Sequence, residues 1–146
     1  MMKWISLVVI MMCVTPIWGQ FDVELGECEQ AYSDKAQAQV NKALASFEKK
    51  DYKMAKIYVN KILDIDPKNA HGLYLMGEVA MRNKPANVNM AIAYWTQLTD
   101  VCPNYRAEVQ FFLGVLLLEN GNKKKSEDMM RLFLANPERD RAFDKE

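Results

Sequence analysis

From Ala36 onward the apolar residues return at helical spacing. Ala36, Val40, Ala43, Leu44 and Phe47 fall on one stripe, Lys50-Asp51-Tyr52 interrupts it, and Ala55, Tyr58, Val59, Ile62 and Leu63 form a second. The i, i+4, i+7 recurrence is that of a helix with one buried face. The pattern then repeats. Leu73, Met76, Gly77 and Ala80 are followed by Ala91, Tyr94, Trp95 and Leu98. Next come Phe112, Leu113, Gly114, Leu116 and Leu117, a turn at Asn120-Gly121-Asn122, and Met129, Met130, Leu132 and Phe133. Six helices in three hairpins are predicted, an all-α fold.

Prolines punctuate the hairpins. Pro67, Pro103 and Pro137 each follow an apolar run, at intervals of 103 − 67 = 36 and 137 − 103 = 34 residues. Proline ends a helix because its ring cannot continue the hydrogen-bond ladder. A regular period in this range signals stacked repeats, and a single pair of short helices cannot bury both its apolar faces alone.

In these features the chain resembles the tetratricopeptide repeat family. The small residues that let paired helices approach are Ala43, Gly77 and Gly114 in the first helices and Ala55, Ala91 and Ser126 in the second. Asp51-Tyr52 and Ile65-Asp66-Pro67 match the family's commonest residues. There are departures: Lys42 stands at a usually apolar position, Asn83-Lys84-Pro85-Ala86-Asn87 lengthens the second repeat's turn, and the third repeat starts one residue late. The resemblance implies a right-handed solenoid of three helix-turn-helix repeats, at about 36–67, 70–103 and 106–137, within residues 36–137.

The first residues read differently. Lys3 is the only charge before Asp22, Trp4 to Val14 is a nearly unbroken apolar run, and Pro16-Ile17-Trp18-Gly19 leads to Gln20. A basic start, a short apolar centre and a small boundary residue make a secretory signal peptide. The expected division is a signal at 1–19, an N-terminal extension at 20–35, the repeats, and a short polar tail at 138–146. The competing reading is an uncleaved anchor, but the apolar run is shorter than the ~20 residues that span a bilayer. Cys13 lacks the small residues before it that a lipoprotein site would show.

Charge and chemistry narrow the function. The 146 residues carry 19 Lys plus Arg against 19 Asp plus Glu, so the basic footprint of a nucleic-acid binder is missing. Half the residues are hydrophobic, too many for a disordered chain. Export would leave Cys28 and Cys102, either as a disulfide of an oxidising compartment or as two buried thiols. The segment between Cys28 and Asp34 can reach up to ~20 Å, enough to cross one repeat. His71 is the only histidine and has no second ligand at metal spacing, so it reads as an exposed or partly buried surface imidazole. No catalytic residues, cofactor or metal site emerge, and the chain is read as not an enzyme. Lys123-Lys124-Lys125 opens a helix, where positive charge opposes the helix dipole, and reads as a solvated face.

Surface remains. The resemblance implies a concave groove lined by the first helices: Gln37, Val40, Leu44 and Phe47; His71, Tyr74, Glu78, Met81 and Arg82; Glu108, Phe111, Val115 and Leu118. Family members that clamp a peptide carboxylate use Lys and Asn where this chain has Val40 and Leu44, so an apolar segment or amphipathic helix is expected instead. Phe21, Val23 and Leu25 of the extension are a competing occupant. The tail after Pro137 makes a poor cap, which leaves Met129, Met130 and Phe133 to meet something else. The reading is a non-catalytic protein-protein interaction or assembly module of the bacterial envelope, at the periplasm or outer-membrane periphery. The alternatives are a self-associating structural subunit, a homo-oligomer through the last repeat, or, behind these, a small-ligand carrier or enzyme.

Overall fold

A computed structural model describes Cys28 and residues 34–142; the expected signal peptide and most of the extension lie outside the described residues. Six α-helices run as α1 (Asp34–Glu48), α2 (Tyr52–Ile65), α3 (Ala70–Arg82), α4 (Val88–Val101), α5 (Ala107–Glu119) and α6 (Lys123–Ala135), followed by a 3₁₀ turn at Arg139–Arg141. Among the described residues there is no strand.

Local chemistry sets the helix ends. Asp51, Asn69, Asn87 and Asn122 sit at N-caps, where their side-chain oxygens accept from the backbone N–H of Met54, Gly72, Met90 and Lys125. Each cap satisfies an N–H that has no partner inside the helix and is worth about 1 kcal/mol. The hairpin turns of the first and third pairs use left-handed residues, Lys50 at φ 57° and Gly121 at φ 80°. The second pair takes the longer route through Asn83–Asn87, closed by Asn87 N–H donating to Ala80 O at 2.8 Å. Pro67, Pro103 and Pro137 each fall two residues beyond the last residue of α2, α4 and α6.

Packing is local along the chain. α1 pairs with α2, α3 with α4 and α5 with α6, and α3 and α5 in turn lie on α2 and α4. This nearest-neighbour pattern is that of a solenoid, in which each unit contacts only the next. The core runs through the stack. Ala43, Val59, Leu75 and Met76 form one cluster, and Leu73, Ala80, Trp95, Leu98, Val109 and Leu113 belong to a second. Small residues mark the close approaches: Ala55 and Ala91 are fully buried, and Ser126 Oγ donates to Gly114 O at 2.7 Å. Lys42 is exposed, whereas its counterpart Met76 is buried in a cluster with Val59 of α2.

Two further ties hold the array. Cys28 and Cys102 form a disulfide with a Cα–Cα distance of 5.9 Å, joining a residue before α1 to the residue after α4. Gln110, fully buried, donates to Pro103 O and accepts from Asn136 Nδ2 at 3.1 Å, fastening the end of α6 to the α4–α5 connection.

Candidate functional site

In each helix pair the groove residues expected from the sequence lie along the first helix, one turn apart. The structure divides them into a floor and a surface. Val40 and His71 are buried and form the floor. Phe47, Tyr74, Met81, Phe111 and Val115 are half-buried, and Leu44 and Leu118 stand 37% and 52% exposed. Gln37 and Arg82 are exposed, with Glu78 and Glu108 half-buried between.

The three first helices are brought together by specific contacts. Phe47 of α1 and Tyr74 of α3 pack against the same cluster of Ala43, Val59, Leu75 and Met76. Between α3 and the start of α5, the His71 Nδ1 and Tyr105 hydroxyl are hydrogen-bonded at 2.8 Å, and the Tyr74 and Tyr105 rings meet at 5.8 Å. The Arg106 guanidinium lies 4.8 Å over the Tyr74 ring and reaches Glu108 at 3.0 Å. Phe111 meets Phe133 of α6 at 5.4 Å.

Charges along this strip are neutralised locally. Arg82 pairs with Glu78 at 2.9 Å and Arg106 with Glu108, so the strip offers apolar surface with internally paired polar groups. Burial, and next the Glu78 carboxylate, push the Tyr74 phenol up to about 12, so it stays neutral.

His71 departs from its sequence reading as a surface imidazole: it is buried beneath Tyr74 and Tyr105. Tyr105 and Arg106 were not singled out by periodicity because they sit in the connection before α5. The available signal was the 34-residue separation of His71 and Tyr105, one repeat length, which brings corresponding ends of neighbouring repeats together. The open depression of about 430 Å³ lies away from the strip, at the α1–α2 end, lined by Lys35, Ala38, Gln39, Lys61, Asp64 and Ile65. Among the described residues no group of His, Cys, Asp and Glu is arranged to hold a metal, and no helix is long and apolar enough to cross a membrane.

Burial of the imidazole, and then the nearby Arg106 cation, lower the His71 pKa from 6.5 to about 4. Below pH 6.5 the unfolded chain takes up a proton that the folded chain refuses, so stability falls as pH drops from 6.5 towards about 4. The loss reaches about 3 kcal/mol at the bottom of that window. Urea unfolding across the window should show this slope in the wild type and a flatter one in His71→Gln. Parallel slopes would contradict it.

Comparisons with known proteins fit this architecture. Residues 36–69 match the tetratricopeptide repeat family. Among solved structures, the chain is similar to the MamA RS-1 ArsTM double mutant, with a TM-score of 0.59 and 18% identity over 76% of this chain. It is likewise similar to MamA 41-end from Desulfovibrio magneticus RS-1, with a TM-score of 0.58 and 18% identity over 77% of this chain. The match covers 59% and 60% of those two chains. At this identity the likeness concerns the fold. No curated protein matches the chain by sequence.

Proposed function

We propose that this chain, a member of the tetratricopeptide repeat family, is a non-catalytic protein-binding module that holds an apolar peptide or partner helix along its first helices. The observation that carries the reading is the strip from Leu44 and Phe47 through Tyr74 and Met81 to Phe111, Val115 and Leu118. Its apolar side chains remain partly exposed while the neighbouring charges are satisfied within the strip. Contiguous exposed apolar surface on a soluble domain marks an interaction site, and an apolar helix-lined strip suits an amphipathic helix or apolar extended segment.

The proposed setting is the bacterial envelope. Two features support export: the basic, then apolar, pattern of residues 1–19, and a disulfide, which persists in oxidising compartments.

Affinity capture from envelope extract tests the binding reading. The wild type should retain a protein that the Leu44→Glu/Leu118→Glu double variant loses by at least about tenfold, because a buried unpaired carboxylate at an interface costs several kcal/mol. Both positions are exposed in the unbound chain, so the variant's stability should change by only about 0.5 kcal/mol. Equal capture by both proteins would sink the reading.

A further inference from the structure

The two ends of the array differ, and the repeats themselves show how. Ile62 of α2 and Leu98 of α4 lie at the same distance from their N-caps as Phe133 of α6, and Leu63 and Thr99 correspond in the same way to Leu134. Ile62 and Leu98 are fully buried, whereas Phe133 is half-buried and Leu134 is 61% exposed.

The cover at the first two positions is known. α3 lies on α2 so closely that a Cβ on Gly72 would meet Leu63 Cδ2 at 2.8 Å and Ile62 Cγ2 at 3.2 Å. α5 covers α4 by placing Val109 and Leu113 in one cluster with Leu98. The covering face of each helix is apolar at i, i+4 and i+7: Gly72, Met76 and Val79 in α3, and Val109, Leu113 and Leu116 in α5. α1 presents Ala38, Lys42 and Ala45 at that register, all exposed. A second copy stacking head to tail would therefore set Ala38 at Phe133 and Leu134 and bury the Lys42 ammonium at the place where α3 has the fully buried Met76, and that burial is disfavoured by desolvation.

The charge at α6 points the same way. Lys123, Lys124 and Lys125 are exposed in its first turn, where the helix dipole is already positive. A helix docked on α6 as α3 docks on α2 starts beside the C-terminal end of α2's counterpart and runs antiparallel to it. Its own C-terminal turn then arrives beside the three lysines. The negative end of a dipole, and any carboxylate in that turn, complements them.

We propose that the α5–α6 end of the array is a docking face for an amphipathic helix of a partner protein, apolar at i, i+4 and i+7 and acidic in its last turn. The face adjoins the strip at the Phe111–Phe133 contact, and Leu134, where it is tested, is not one of the strip residues.

A synthetic helix tests this: about 15 residues on an alanine-glutamine background, with Val, Leu and Leu at i, i+4 and i+7, two glutamates in the last turn and a fluorescent label. Anisotropy titration with the full chain should show micromolar binding. Leu134→Glu should weaken it by at least about tenfold, and Leu44→Glu should leave it within about twofold. Exchanging the three lysines for glutamate involves only exposed side chains, so the fold is safe. It should weaken binding about fivefold, with the difference shrinking in high salt. Three results would overturn the proposal. The first is no binding by the wild type, and the second is binding lost with Leu44→Glu but kept with Leu134→Glu. The third is light scattering that shows a dimer broken by Leu134→Glu, which would make the occupant a second copy.

Discussion

Reducing the Cys28–Cys102 bond is expected to lower the free energy of unfolding by about 4 kcal/mol. The two cysteines are 74 residues apart, so the bond closes a loop holding α1 through α4 and removes much of that loop's freedom in the unfolded chain. Cys102 is buried in the core cluster and Cys28 packs against it. Unfolding in urea with and without reductant, beside a Cys28→Ser variant, gives the measurement. Reduction and substitution should agree within about 1 kcal/mol, since both remove the same loop constraint. Two titratable thiols in the denatured, unreduced protein would contradict the bond itself.

The second large effect belongs to Gly77. A Cβ at that position would lie 2.0 Å from Trp95 Nε1 and 2.4 Å from Cδ1. The indole cannot swing aside: it is 3% exposed, and its N–H donates to Tyr74 O at 3.3 Å. Gly77→Ala must therefore part α3 from α4, at a cost of about 3 kcal/mol. Gly114, at the corresponding place in the third repeat, is the control. Its added Cβ would meet Met130 Cε at 2.9 Å, the end of a flexible thioether that can shift, so Gly114→Ala should cost less than about 1.5 kcal/mol. In the Gly77→Ala/Trp95→Leu double variant the clash is gone, and the combined loss should fall short of the sum of the single losses. Additive losses would show that Gly77 acts through its own backbone rather than through Trp95.

The same residues show why the fold was readable. Ala43, Gly77 and Gly114 are small for a reason visible in the spacing alone, because helices that pair along a repeat need one close approach per unit. Pro67, Pro103 and Pro137 gave the period, and the cap residues Asp51, Asn87 and Asn122 stand immediately before the second helices. The surface strip was less readable. Helical register puts Val40 and His71 beside Leu44 and Tyr74, but only the curvature of the stack decides which sink to the floor. The contact of Arg106 with Tyr74 joins a connection to a helix one repeat earlier, and no single-helix pattern carries it. Nor could spacing reveal the difference between Leu63, Thr99 and Leu134, which share one register and differ in what lies over them.

Binding of partners along the first helices is tested most directly by position-specific crosslinking. A photoreactive amino acid placed at Leu44, at Leu118 or at Ile57 of α2, all exposed, would map contacts in the native extract. Crosslinks to one protein from positions 44 and 118, with little from position 57, are the predicted result. Equal crosslinking from all three, or crosslinking from position 57 alone, would contradict it.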